Sequence, residues 1–217
     1  MPKAFLKARD PVSSYTHFIG AILSAAGMLF ILFQAVIDPY STPAGVIGGL
    51  IFGCSLIALY LASSHYHFFT GDERHLQQLR KLDHSMIYVL IAGTYTPICL
   101  HYFEPVKGII FTVGMWVAAC FGIVLKLCFL NVPRWLYTVM YIGMGWVIIL
   151  DPGALLRLES GSLALLLAGG VSYTVGAVCY ILKKPNLSLK YGFHEVFHLF
   201  VMAGSFFHYL MIAIYIC

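Results

Sequence analysis

His194 and His198 stand four residues apart in GFHEVFH, residues 192–198, whose last five letters spell the H-E-x-x-H of zinc metalloproteases. Four residues carry a helix about 40° past one full turn, so both imidazoles share a face and can grip one cation. In a zincin the glutamate is the general base and a third ligand comes from elsewhere. The longer metzincin pattern needs a histidine at position 204, which is Gly204, and the N-x-x-P-x-x-x-L-D-G partner of an intramembrane site-2 protease is absent. Two other stretches could join this pair: LASSHYH (61–67) sets Ser63 and His67 four apart, and KLDHS (81–85) supplies Asp83.

The elements that must position these groups are membrane helices. Of 217 residues, 60% are hydrophobic and 10% charged, and mean hydropathy is +0.87, against roughly 45–50% apolar and 25% charged in a soluble domain. A bilayer core about 30 Å thick needs about 20 helical residues. Seven apolar runs meet that demand, at about 17–37, 44–68, 84–102, 107–130, 134–150, 161–182 and 194–216. They use most of the chain, so residues 1–217 read as a single all-α, seven-transmembrane helix bundle. The runs exceed the 9–11 residues of a barrel strand and lack its alternation. The breaks DPYSTP (38–43), GDERH (71–75), the stretch at Glu104–Lys107, NVPR (131–134), DPG (151–153) and KKPNLSLKYG (183–192) read as short turns. No repeat and no cleavable leader is expected.

Eleven of the thirteen Lys and Arg residues fall on one side if the N-terminus is cytoplasmic, with Lys107 and Arg157 outside. The positive-inside rule then places the N-terminus in and the C-terminus out. The +4 net charge records that topology, and no nucleic-acid partner is implied, since no soluble basic module fits the length. The six cysteines form no C-x-x-C and read as buried small hydrophobes, with Cys99 and Cys217 the one pair placed for an outer-face bridge. Gly45, Gly49 and Gly53 would let a neighbouring helix approach closely. Pro97 should kink the third helix or end its regular part, and Trp135, Tyr137 and Tyr141 suit interfacial anchoring.

This topology tests the site. His67 ends an inward-running helix, while Asp83 and the His194/His198 pair begin outward-running ones, so all lie at one depth near the cytoplasmic face. Polar groups at such depth are costly and mark function. Paired histidines alone would serve equally as interhelical hydrogen-bond glue. Three converging imidazoles beside a carboxylate and a hydroxyl instead match a three-ligand zinc site with one open position, although copper, iron and nickel suit such ligands as well. His17 is expected to make a structural hydrogen bond. His65, His75 and His84 belong near the wet interface, and His208 lies about 15 Å above His198, too far to share its metal.

The stretches DPVSSYTHFIG (10–20), SSHYH (63–67), LDHSMIYVLIAGTYTP (82–97), MGW (144–146), GGVSYTVGAVCY (169–180) and HEVFHLFVMAGSFFH (194–208) resemble the bacterial hemolysin III family. That family is related to the progestin and adipoQ receptors, adiponectin receptors among them, and more distantly to alkaline ceramidases. The resemblance spans about residues 10–210 and implies a seven-helix bundle in a bacterial plasma membrane. It implies zinc on the histidine of S-x-x-x-H and both of H-x-x-x-H, here His67, His194 and His198, with Ser63 and Asp83 beside them. Glu195 then occupies a free position. Many members carry Glu and Asn near the first helix where this chain has Asp10 and Ser13, so no role is carried onto those two.

The chemistry expected is hydrolysis of a lipid amide or ester from the cytoplasmic leaflet, with Asp83 handling a proton and Ser63 donating to the oxyanion. Membrane lipids are the expected partners. Three alternatives stand beside it: a receptor-like or signalling protein braced by structural zinc, membrane lysis as the family's name suggests, and haem ligation by paired histidines.

Overall fold

The computed structural model describes residues 1–39, 41–128, 133–188 and 191–217. Among these the regular structure is helical: α1 (Pro11–Ile37), α2 (Pro43–Phe68), α3 (Glu73–Tyr102), α4 (Pro105–Cys128), α5 (Arg134–Gly145), the short α6 (Pro152–Leu155), α7 (Ser160–Leu182) and α8 (Phe193–Tyr215), with 3₁₀ turns at Phe5–Lys7 and Val147–Leu150. Consecutive long helices pack side by side, α1 on α2, α2 on α3, α3 on α4 and α7 on α8, while α1 also meets α8. Among the described residues five helices, α1, α2, α4, α7 and α8, are long and apolar enough to cross a membrane. The chain is a multi-pass plasma-membrane protein whose outer surface is apolar, with Leu23, Leu29, Phe33, Val117, Phe121 and Leu156 exposed on it.

Local chemistry explains where the helices start. Proline at the first position is preset for a helix and gives up an N–H that would be orphaned anyway; Pro11, Pro43, Pro105 and Pro152 all stand there. Thr42 caps α2 by accepting from Gly45 N at 3.1 Å. Asp72 caps α3 by accepting from His75 N at 2.9 Å, with Glu73 in the first turn.

That cap corrects the sequence reading at α3. GDERH was expected to be a turn before a helix at 84, yet the helix starts at Glu73, because an Asp cap and a first-turn Glu outweigh low hydropathy. α1 likewise begins at Pro11 and not at 17. The run 134–150 is broken. α5 stops at Gly145, whose carbonyl accepts from the Tyr95 hydroxyl at 2.9 Å, and the same hydroxyl accepts from Ile148 N at 3.0 Å. A side chain thus takes the groups a continuing helix would use. The end of the 107–130 run, the first half of NVPR and Lys190 lie outside the described residues.

Small residues bring the backbones together. A Cβ on Gly48 would sit 2.7 Å from Pro97 Cα, one on Gly45 would meet the Ile216 carbonyl, and one on Gly53 would crowd Met28 at 3.0 Å. Pro97 does not end α3, which runs on to Tyr102; the proline packs against Gly48 inside the bundle. No Cys99–Cys217 bridge forms. Both thiols are free, and Cys217 Sγ donates to the Gly45 carbonyl at 3.3 Å.

Candidate metal centre

The ends of α2 and the starts of α1, α3 and α8 meet at one end of the bundle. His67, from the last turn of α2, is 2% exposed and points at α8. His194 and His198 rise from the first two turns of α8, with His198 equally buried. One ligand atom from each of the three lies within 4.8 Å of the others. His67 Nε2 and His194 Nε2 are 3.1 Å apart, close to the roughly 3.3 Å expected of two tetrahedral ligands each about 2.0–2.1 Å from zinc. The buried Nδ1 of His198 has no hydrogen-bond partner. Three converging imidazoles, one with a spare buried nitrogen, fit a divalent cation.

Asp10 decides how His67 is presented. It stands at the N-cap of α1, yet its side chain makes no cap bond. Its carboxylate accepts instead from His67 Nδ1 at 2.9 Å and from Arg9 Nε at 2.9 Å. Burial alone would raise its pKa, but the hydrogen bonds from His67 and Arg9 outweigh that and bring it to about 2. An ionised Asp10 fixes the proton on Nδ1 and leaves the Nε2 lone pair of His67 facing His194, the carboxylate–histidine arrangement that orients metal ligands. Asp10 N also donates to the His67 carbonyl at 3.0 Å, and Ser14 and Ser64 exchange hydroxyl-to-carbonyl bonds, each 2.9 Å, one turn away. An acid at a helix start is the one local signal for Asp10, and it does not reveal the target across the bundle.

Glu195, the letter that made the protease motif, is tied elsewhere. Its carboxylate accepts from Ser13 Oγ and from Gly192 N, both at 2.9 Å, so it caps α8 and pins it to α1. Asp10 and Ser13, onto which the sequence resemblance carries no role, therefore hold His67 and the helix that bears His194 and His198.

His17 is not held by the hydrogen bond expected of it. Both its ring nitrogens are buried and unpartnered. Its ring stacks on His198 with centroids 3.8 Å apart and planes 9° from parallel, and meets Tyr60 edge-on at 5.0 Å. His65 and His75 are exposed, as a wet interface requires. His208 donates from Nε2 to the Leu166 carbonyl at 3.2 Å, apart from the cluster.

A cavity of about 450 Å³ opens beside the histidines, within the range of small-molecule sites. Ser63 and Asp83, 2% and 8% exposed, line it together with His194 and His198, and the Ser63 hydroxyl neighbours the Asp83 carboxylate. Tyr137 and Tyr141, expected as lipid-facing anchors, line it too; the Tyr141 hydroxyl donates to the His84 carbonyl at 3.1 Å, while Trp135 alone of that trio faces outward at 56% exposure. The anchoring expectation fails because α5 turns its tyrosines toward the polar interior.

Comparison with known proteins joins this geometry to a family. The family described as Haemolysin-III related matches residues 5–209. The chain belongs to that family. Among its relatives, the "Hemolysin-3 homolog" of Bacillus subtilis (strain 168) is 36% identical over 202 residues, covering 93% of this chain and 91% of the relative. "Hemolysin-3" of Bacillus cereus is 34% identical over 209 residues, covering 94% and 90%. The family match takes in α1 through most of α8, hence every residue of the histidine cluster.

Proposed function

We propose that this chain is a zinc-dependent hydrolase of lipid amides or esters, a seven-span bundle with its N-terminus and its site on the cytoplasmic side. The observation that carries the reading is the convergence of His67, His194 and His198, the last two on the wall of a cavity that also presents Asp83 and Ser63. Zinc, when bound, supplies Lewis acidity that polarises a carbonyl and acidifies water. Asp83 takes the proton of the attacking water and returns it to the leaving group. Ser63 donates a hydrogen bond to the oxygen on which charge develops. Asp10 keeps His67 in the ligating tautomer, and the apolar walls at Leu59, Ile87 and Phe197 exclude bulk water from the acyl chain.

The test is elemental analysis of purified protein by mass spectrometry, followed by a screen of lipid amides and esters. About one zinc per chain, lost in His194→Ala together with turnover, supports the hydrolase. Full zinc with no turnover on any lipid, and a fall in thermal stability on chelation, would favour zinc as a brace. The names of the relatives support a second reading, lysis. Dye release from liposomes at physiological protein density separates that reading, because a resident bundle with short connections should leave vesicles intact.

A further inference from the structure

The cavity has a second chemical feature, at the end away from the apolar interior. Arg80, Lys81, Lys126 and Arg134 line it there. Lys81 is engaged, donating to the Leu127 carbonyl at 2.9 Å. The other three make no ion pair among the described residues. Lys126 Nζ lies 4.0 Å over the Tyr137 ring, and the Arg134 guanidinium 4.7 Å over Tyr180 and 5.7 Å from Phe193. Ring faces hold cations in place without neutralising them. One guanidinium nitrogen of Arg134, Nη1, is buried with no hydrogen-bond partner among the described residues. A buried donor left unmade costs roughly 1–3 kcal/mol, more when charged, so a guanidinium in that state on a cavity wall marks a place for an acceptor.

The acids facing the same space do not supply that acceptor. Glu73 is exposed and bonds Gln77 at 3.3 Å, and Asp83 is buried beside Ser63. Four cations therefore face two carboxylates, an excess that one carboxylate ligand would not balance. A phosphate monoester carries about −1.5 to −2 charge at pH 7 and matches the planar fork of arginine. A free phosphate would leave most of about 450 Å³ unfilled, and Ile91, Ile142 and Val201 continue the lining as an apolar wall.

We propose that Arg80, Lys126 and Arg134 bind the headgroup of a lipid phosphate monoester, whose acyl part runs along that wall toward the histidines. This rests on the hydrolase reading only for turnover; the binding site stands on the cations themselves. Calorimetric titration of the purified full-length protein with dioctanoyl phosphatidic acid, dioctanoylglycerol and inorganic phosphate tests it, in wild type and in a Lys126→Gln/Arg134→Gln double variant. The phosphatidic acid should bind at least about tenfold more tightly than the diacylglycerol, and the double variant should lose that preference while eluting as a single species with unchanged metal content. Equal affinity for the two lipids in wild type overturns the proposal, as does a well-folded double variant that keeps the preference, for the cations would then be topology signals alone. Inorganic phosphate binding as tightly as the lipid overturns the lipid source. If the variant does not fold, the wild-type comparison of the two lipids decides. Headgroup binding without turnover on any lipid would sink the hydrolase and spare this site, whereas hydrolysis indifferent to headgroup charge would sink this site and spare the hydrolase.

Discussion

The two ends of the bundle use charge in opposite ways. At the end where α3 stops and α4 and α7 begin, ionic groups close on one another: Lys107 meets Asp151 at 2.7 Å, Arg157 meets Glu104 at 2.6 Å, and the Tyr102 hydroxyl bonds Glu159 and Ser162 at 3.0 and 2.9 Å. These pairs staple connections. At the other end the histidines and the cations of the cavity rim face open space and keep unmade bonds, among them Arg134 Nη1, His198 Nδ1 and both nitrogens of His17. Folding free energy alone would not leave such groups unpaired. The difference sets a candidate site at one end against braced connections at the other.

The comparison breaks first at a ligand. His198→Ala should abolish bound metal, read as zinc per chain falling from about one to background, and turnover should fall at least about a hundredfold. Asp10→Ala should follow with a 10–100-fold loss of metal affinity, the usual effect of removing the group behind a ligating histidine, measured by competition with a chelator; unchanged affinity would mean that His67 orients without it. Glu195→Gln should keep metal and turnover and lose about 1 kcal/mol of stability, the worth of a typical hydrogen bond, seen as a lower melting temperature. A collapse of turnover with metal retained would revive the protease-like role of that glutamate. The smallest effect belongs to the stapled end, where Arg157→Ala should change stability by about 0–1 kcal/mol, as exposed ion pairs do, with no change in metal content.

Much of this contrast was legible in the letters, for reasons that differ by residue. Spans α2, α7 and α8 were drawn nearly to their ends because apolar length is a strong signal in a chain this hydrophobic. The histidines were brought together by helix direction alone: four-residue spacing fixed each face, and alternation of direction fixed the depth. The start of α3 was missed because hydropathy is blind to caps, and Asp72 acts through one hydrogen bond. α5 was overrun because its end depends on Tyr95, 50 residues earlier in the chain. Asp10 and Ser13 escaped for the same reason, since their partners are 57 and 182 residues away. His17 was given a hydrogen bond on the rule that buried polar groups find partners, and a stacking contact with His198 is what it has.

The spacing of the ligands along the chain has a consequence for biogenesis. His67 leaves the ribosome 127 residues before His194, and Ser13 must wait 182 residues for Glu195. Throughout synthesis the first two helices can dock through Ser14 and Ser64, but they offer only one imidazole of three. Metal capture at this cluster would therefore be a late event in synthesis, joining α2 to α8 only after His194 and His198 have been made.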